Sequence, residues 1–405
     1  MWEQIRSNQI RSVMLISIMG ILLLAIGWTI GYAFLGSATA GLVIALIIWG
    51  IMSLVALFQG DSIILSMSGA RKIGPADHPR LYNVVEEMKI ASGLAKMPDV
   101  YIIDDPALNA FSTGRSPDHA AVAITSGLLD KLNRDELQGV IGHELGHIKN
   151  QDIRLMLIAS ILMGAIVILA YYATRITFYS GMSGGNRRRD SSGGSGGGMV
   201  MIIVLVVGLI LMILAPIMAQ LIYFGISRKR EYLADASSAL YTRYPEGLAS
   251  ALEKLANNNT QVKTANKATA PMYISNPFYK RGISAGDLFA THPPLADRIG
   301  ILRAMSGASL ADYEKSYEKV KSSRVMPASA LTDSTGIGVR PASAAAGAGE
   351  IQEQINRSRE TSDLMWRMSK YKSLSCDNCG MRLKLPPSYK ESSVRCPRCG
   401  HINQV

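Results

Sequence analysis

Apolar residues in this chain gather into long unbroken blocks. No Asp, Glu, Lys or Arg occurs from Ser12 to Gly60, and two more uncharged blocks lie between Arg154 and Arg175 and between Asp190 and Arg228. A run of ~18 or more apolar residues predicts a spanning helix, because lipid offers backbone amides no partner outside the segment itself. The first block divides near Gly36–Ser37, where small and polar residues cluster, and predicts two spans at about 13–35 and 38–58. The other blocks predict a third span at about 155–173 and a fourth at about 199–224, with Pro216 as a kink point in the last. Two back-to-back spans without a clear cleavage site read as retained anchors rather than a signal peptide.

Between the blocks the pattern becomes that of a water-soluble domain. After a mixed segment holding Arg71 and Lys72, a helix is predicted around Leu81–Gly93 and a short β-branched strand at Val100–Ile103, broken by Asp104–Asp105–Pro106. The segment Asn109–Gly114 (NAFSTG) precedes a second strand at Ala120–Thr125. A helix should start near Asn133, with Asp135 and Glu136 in its first turn, where the helix dipole favours acids. Gly181–Gly198, rich in Gly and Ser and carrying Arg187–Arg189, predicts a solvated loop between the last two spans. The chain returns to water at Arg228–Arg230 and begins another helix, with mostly helical structure over 232–315. Leu331–Gly349 reads as a linker, followed by a polar helix over Glu350–Lys370. The organisation expected is therefore two membrane helices (1–60), a first soluble part (61–154), a membrane hairpin (155–225), a second soluble part (226–320), a linker and helix (321–370) and a cysteine module (371–405).

Charge adds a direction. The net charge of +11 and the 48% hydrophobic content fit either a nucleic-acid binder or a membrane protein with positive flanks, and the uncharged blocks decide for the membrane. With four crossings, Arg6, Arg11, Arg71, Lys72, Lys149, Arg154 and Arg228–Arg230 fall on one face, which the positive-inside rule makes cytoplasmic. Arg175 and Arg187–Arg189 run against it. Either the glycine-rich loop tolerates them or the last two segments do not fully cross, and in both cases the soluble parts stay on the cytoplasmic face of a multi-pass cell-membrane protein.

The candidate chemistry begins at His143–Glu144–Leu145–Gly146–His147, an HExxH pattern. Positions four apart share a helix face, so both imidazoles can reach one zinc ion, with Glu144 beside them to take a proton from water. Leu137, Val140, Ile141, Leu145 and Ile148 recur at helical spacing, while Gly139, Gly142 and Gly146 weaken intrinsic helicity, so packing must hold this helix. A catalytic zinc takes three protein ligands and one open position. Glu231 is a candidate third ligand, with Asp235 one turn on as a partner that orients a ligand histidine, because a membrane hairpin would return the chain beside the histidine helix. Asn150, just past the motif, is a second candidate for such a supporting role. His292 is an alternative ligand, although Pro293–Pro294 follow it, and Glu231 could instead pair with Arg228 or Arg230.

All four cysteines lie in one place, as Cys376-x-x-Cys379 and Cys396-x-x-Cys399. Two such knuckles predict a closed four-thiolate zinc site, a zinc ribbon that supplies folding energy rather than catalysis, so one catalytic and one structural Zn2+ are expected. Arg382, Lys384, Lys390, Arg395 and Arg398 make the module basic, yet without interleaved aromatics they argue for a protein partner or substrate rather than nucleic acid.

Four segments in order, Asn109–Gly114 (NAFSTG), His143–Asp152 (HELGHIKNQD), Arg230–Ala236 (REYLADA) and Thr291–Arg298 (THPPLADR), together with the span layout, resemble the HtpX-type membrane metalloproteases, relatives of the CAAX prenyl proteases. The resemblance covers about residues 1–305 and leaves out the ribbon. It implies a mainly α membrane protein: a four-helix transmembrane region, a cytoplasmic α+β zincin-type domain and the appended ribbon. It implies Glu231 as third zinc ligand, and His292 and Arg298 over the metal, polarising the scissile carbonyl or holding the oxyanion. It also implies a substrate strand pairing along Asn109, Ala110, Phe111, Ser112, Thr113 and Gly114. The activity implied is proteolysis of misfolded or damaged membrane proteins. A processing protease for prenylated C-termini and a catalytically silent scaffold presenting the ribbon are the alternatives.

Overall fold

The computed structural model describes residues 2–161, 228–265, 269–278, 292–327, 331, 337–343, 348–369, 371–389 and 391–405. The expected fourth span, the glycine-rich loop and all but the first turns of the expected third span lie outside the described residues.

Helix α1 (Trp2–Leu35) and helix α2 (Ala38–Phe58) form an antiparallel hairpin. The break falls where small residues cluster: Gly36 takes φ +63°, and the Ser37 side chain caps α2 by accepting the Ala40 N–H at 3.3 Å. Ile5–Ala25 within α1 and the whole of α2 are long and apolar enough to cross a membrane. Their packing suits lipid. A Cβ on Gly41 would lie 2.0 Å from the Gly27 carbonyl, and one on Gly27 would lie 2.3 Å from Ala45 Cβ. Small residues four apart thus let the two backbones touch, the device helices use where lipid removes any hydrophobic drive to associate. On α2 the large apolar side chains Val43, Ile44, Ile47, Ile51 and Leu54 are all exposed.

The soluble domain is a mixed sheet backed by helices. Short α3 (Gly60–Met67) leads from the hairpin into β1 (Ala70–Lys72), and α4 (Pro79–Ser92) follows. Strands β2 (Asp99–Ile103), β3 (Ala110–Ser116) and β4 (His119–Thr125) complete a sheet of order β1-β2-β4-β3. β2 and β4 are parallel, while β1 and β3 run antiparallel to their neighbours, with a register shift between Gly114 and Ser116. Among the described residues β3 is an edge strand with only its start paired on the outer side, where Phe111 bridges Tyr273 and Ile274 N–H donates to the Ala110 carbonyl at 2.9 Å.

Helix α5 (Ser126–Lys131) connects to α6 (Arg134–Lys149), the centre of the domain. Asn133 and Glu136 form a reciprocal capping box at its start, so the expected first turn is fixed by its own side chains. Leu137, Val140, Ile141, Leu145 and Ile148 are fully buried and join Leu81, Val84 and Val85 of α4 and Val122 and Ile124 of β4 in the main core. Truncating one of these to alanine costs about 2–5 kcal/mol in comparable cores. The glycines of α6 serve the other side. A Cβ on Gly139 would meet the Leu248 amide at 2.6 Å, and one on Gly146 would meet Ser237 Cβ at 3.0 Å. They admit helix α7 (Lys229–Thr242) and helix α8 (Pro245–Ala256) to contact distance, which is how packing holds a helix of low intrinsic propensity.

Helices α9 (Leu295–Arg303) and α10 (Leu310–Lys321) close the domain. Described residues of the segment read as a linker pack against it. Within residues 337–343, Arg340 donates to the Thr242 carbonyl (2.9 Å) and to Asp135 (2.7 Å), and the Ser343 N–H also reaches Asp135 (2.8 Å). Helix α11 (Ala348–Met368) then docks on α5, with Leu364 buried in the main core and Glu360 beside Arg80 and His78. The cysteine module therefore rides on a docked helix rather than a free tether. It consists of two hairpins, β5 (Lys372–Ser375) with β6 (Arg382–Leu385) and β7 (Ser393–Arg395) with β8 (Ile402–Gln404).

Candidate metal centre and active site

Helix α6 presents His143, Glu144 and His147 on a face with at most 3% exposure. Helix α7 lies against it and contributes Glu231 and, one turn on, Asp235. The ligand atoms of His143, His147 and Glu231 lie within 4.8 Å of one another. The Nε2 atoms of the two histidines are 3.2 Å apart, and Glu231 oxygens stand 3.4 Å from His147 Nε2 and 3.8 Å from His143 Nε2.

The outer nitrogens explain what this pocket is for. His143 Nδ1 is 2.9 Å from Asp235, and His147 Nδ1 is 2.9 Å from Asp152. A carboxylate only accepts, so each Nδ1 carries the proton and each Nε2 turns a lone pair inward. Two lone pairs facing at 3.2 Å need a cation between them. Two nitrogens sharing one tetrahedral zinc would sit about 3.3 Å apart, given zinc–nitrogen bonds of about 2.0–2.1 Å. The titration behaviour agrees. Burial lowers the His147 pKa, but bonding to Asp152 and Glu231 more than reverses this and pushes it up to about 10. The pocket thus draws a proton to the place where a metal belongs. Burial would raise Glu231, yet the imidazoles of His292 and His147 hold its carboxyl well below the usual range. The donor set fits zinc.

Glu144 is fully buried beside the ligands. Ser112 Oγ, on β3, donates to Glu144 Oε2 at 2.7 Å, while Oε1 has no hydrogen-bond partner among the described residues. His292 has 9% exposure, with Nδ1 3.3 Å from Glu231 and Nε2 without a hydrogen-bond partner among the described residues. Arg298 is fully buried beside the ligands, gripping Asp235 through Nε (2.8 Å) and Nη2 (2.6 Å) and donating through Nη1 to the Ile274 carbonyl (3.0 Å), with Nη1 also 3.4 Å from Glu231 Oε2. Its fork braces the carboxylate that orients His143, and burial of the guanidinium is outweighed by Asp235, which raises its pKa. Asn109 belongs to the loop before β3, where Nδ2 donates to the Ser275 carbonyl (3.1 Å). Ala110, Phe111, Thr113 and Gly114 line β3 with buried side chains or backbone.

Asp152 is the carboxylate behind His147, two residues beyond Asn150. Asn150 caps the end of α6, and its carbonyl accepts from Asn8 (3.2 Å). The reason Asp152 reaches His147 is the turn at Gln151, whose φ of +57° doubles the chain back onto the last helical turn. That conformation carries no clear mark in a sequence, since glycine is its usual occupant.

In the cysteine module, Sγ of Cys376 lies 3.5 Å from that of Cys399, and Sγ of Cys379 lies 3.7 Å from that of Cys396. These are not disulfides, and they match the roughly 3.8 Å separation of thiolates on one tetrahedral zinc. Burial would raise the Cys376 thiol, but N–H groups of Cys379 and Asn378 stabilise its thiolate and bring its pKa down to about 6.

Comparison with known proteins gives the same picture. Residues 75–306 match the model of peptidase family M48. The protease HtpX homolog of Streptococcus agalactiae (serotype III) is 45% identical over 305 residues, which is 75% of this chain and 100% of that relative. The protease HtpX homolog of Dictyoglomus turgidum is also 45% identical over 305 residues, covering 75% of this chain and 94% of the relative. A crystal structure of S. mikatae Ste24p superposes with a TM-score of 0.41 at 19% identity, over 75% of this chain and 67% of that one. With an M48 match over most of the soluble domain, full-length HtpX relatives and a buried His/His/Glu triad, the chain belongs to peptidase family M48 as an HtpX-type zinc metalloprotease.

Proposed function

We propose that this protein is a membrane-integrated endopeptidase that hydrolyses unfolded or damaged membrane proteins at the cytoplasmic surface of the cell membrane. The observation that carries this reading is the position of β3. Ser112 of that strand touches Glu144, and three residues on, the Arg115 guanidinium lies 5.1 Å from the Phe58 ring at the end of α2. The strand edge therefore runs from the hairpin to the metal pocket. A polypeptide leaving the bilayer beside the hairpin would meet both within a few residues, at ~3.3–3.6 Å per extended residue. Pairing along an edge uses backbone bonds and tolerates varied side chains. The chain's own Tyr273 and Ile274 already occupy the start of that edge in antiparallel fashion.

Zinc held by His143, His147 and Glu231 supplies Lewis acidity, which polarises a carbonyl and acidifies water. Glu144 does the proton work: Ser112 holds Oε2, leaving Oε1 to take the proton of the attacking water and pass it to the leaving nitrogen. His292 offers its Nε2 side to the carbonyl oxygen as charge develops there. Asp235 and Asp152 fix the tautomers of the two histidines, and Arg298 holds Asp235. The four cysteines would hold a second, structural zinc.

The test is reconstitution in lipid vesicles with an unfolded membrane protein and a prenylated peptide as competing substrates. Cleavage of the unfolded protein should dominate, and Glu231→Ala should lose both the pocket's zinc and cleavage. Faster cutting of the prenylated peptide, or unimpaired cleavage by Glu231→Ala, would overturn the proposal.

A further inference from the structure

Asn8 lies on α1, in the three turns that precede the apolar block, between the exposed Arg6 and Gln9. Its side chain is nonetheless 2% exposed, while Ile10 two positions on is 53% exposed. Asn8 Nδ2 donates to Asp152 Oδ1 at 2.6 Å and to the Asn150 carbonyl at 3.2 Å. Both partners are acceptors, so the amide must turn its NH2 toward them. Asp152 Oδ2 is the oxygen that takes the Nδ1 proton of His147. A continuous line of hydrogen bonds thus runs from the first membrane helix through one carboxylate to a ligand of the catalytic metal.

We infer that Asn8 is a positioning residue for the zinc site, through which the seating of helix α1 sets how firmly His147 holds the metal. Two features separate this from simple docking of a helix. The amide binds the second oxygen of the very carboxylate that orients His147, which fixes the plane of that group and with it the imidazole. The donor is also neutral. It orients Asp152 while bringing no charge of its own, so the carboxylate stays an acceptor for the Nδ1 proton of His147. The cationic alternative, Arg230, stands further off, with Nη1 3.9 Å from Asp152 Oδ1. Groups that brace a metal ligand from behind typically change metal affinity by about 10–100-fold. The inference rests on His147 as a zinc ligand and is independent of which substrate the enzyme cuts.

The experiment uses the full chain in detergent micelles, loaded with zinc, and follows zinc released to a chelator, beside kcat and the melting temperature. Asn8→Ala, which truncates the amide, and Asn8→Asp, which keeps its size but sets a like charge against Asp152, should each release zinc from the His/His/Glu centre about tenfold faster. Gln9→Ala removes the neighbouring 3.3 Å contact to Gln151 from the same helix, and should release zinc at the parental rate. In an Asp152→Asn background, Asn8→Ala should have no further effect. Parental zinc release by both folded Asn8 variants, whatever their melting temperatures, would overturn the inference. So would equal acceleration by Gln9→Ala, or an undiminished Asn8→Ala effect once Asp152 is Asn. If Asn8→Ala does not fold, Asn8→Asp decides by the same readout, and failure of both to fold would mean that Asn8 serves folding and overturn the positioning role.

Discussion

The two candidate zinc sites are built in opposite ways. At the catalytic centre the ligands lie far apart in the chain, on α6 and α7, and each histidine is braced by buried groups: Asp235 and Arg298 behind His143, Asp152 and Asn8 behind His147. The large core that surrounds it would exist without the metal. In the cysteine module the ligands come from two local turns, and the cluster they join is small, with Cys376, Leu383 and Cys396 buried and Leu374, Cys379, Met381 and Val394 packed against them. There a bound metal would complete a core too small to hold on its own. A site that must leave a coordination position open to substrate needs its geometry imposed from outside. A site that only has to close can take its geometry from the ion.

The sharpest way to break this contrast is to remove chemistry while keeping metal. Glu144→Gln should lower kcat by about 10²–10⁴-fold, the usual contribution of a general base, with zinc content unchanged by metal analysis. Weakening the outer frame comes next. Asp235→Asn removes the carboxylate shared by His143 and Arg298, and should loosen zinc about 10–100-fold in chelator titrations. It also leaves a fully buried guanidinium with Glu231, 3.4 Å away, as its remaining carboxylate, a loss that should cost less than the ~3–5 kcal/mol of a wholly broken buried pair and show as a lower melting temperature. An Asp235→Asn protein with parental zinc affinity would show that the frame is dispensable and the comparison mistaken.

How much of this could be read from residues alone follows the same division. The cysteine knuckles were legible because their spacing is local and the chemistry of thiols admits few other uses. His143, Glu144 and His147 were legible because one helix carries them, and the split at Gly36–Ser37 because the chain there loses its apolar character. Glu231 needed the idea of a returning hairpin. What stayed hidden depended on contacts between distant segments: Ser112 against Glu144, Asn8 against Asp152, and the grip of Arg298 on Asp235. Docking of 337–343 was hidden for a related reason. A run of small residues looks like a linker until Arg340 and Ser343 find Asp135.

Metal removal at the ribbon should have the reverse effect to that at the active site. Cys376→Ser leaves three thiolates and a centre that no longer closes, so the module should unfold locally and become open to proteolysis. Cleavage of a short peptide should stay within about twofold of the parent, because the active-site frame draws nothing from the thiol cluster. A large fall in short-peptide turnover would mean that the ribbon holds the catalytic centre together after all.

The smallest expected effect tests the strap that joins the two halves of the contrast. Arg340 reaches Asp135 and Gln138 in the first turn of α6 (2.7 and 2.8 Å) and the Thr242 carbonyl at the end of α7 (2.9 Å), with its guanidinium 5.0 Å from the Tyr244 ring. Arg340→Ala should cost about 1 kcal/mol, near the upper range for a pair partly open to water, and should lower the melting temperature by a few degrees at most. Its pH dependence has a definite sign. Burial raises the Asp135 carboxyl, but bonds from Ser343 and Arg340 outweigh this and hold its pKa below the ordinary value. A depressed carboxylate contributes stability that is present above its unfolded pKa of about 3.9 and is lost as pH falls through the folded value. The gap between parent and Arg340→Ala should therefore be full at neutral pH and close as the medium is taken below about pH 4. Zinc retention should not change, because the strap grips the ends of α6 and α7 that lie away from the ligands. If Arg340→Ala instead hastened zinc loss as much as Asp235→Asn, the C-terminal segment would be part of the catalytic frame, and the two sites would be one coupled system.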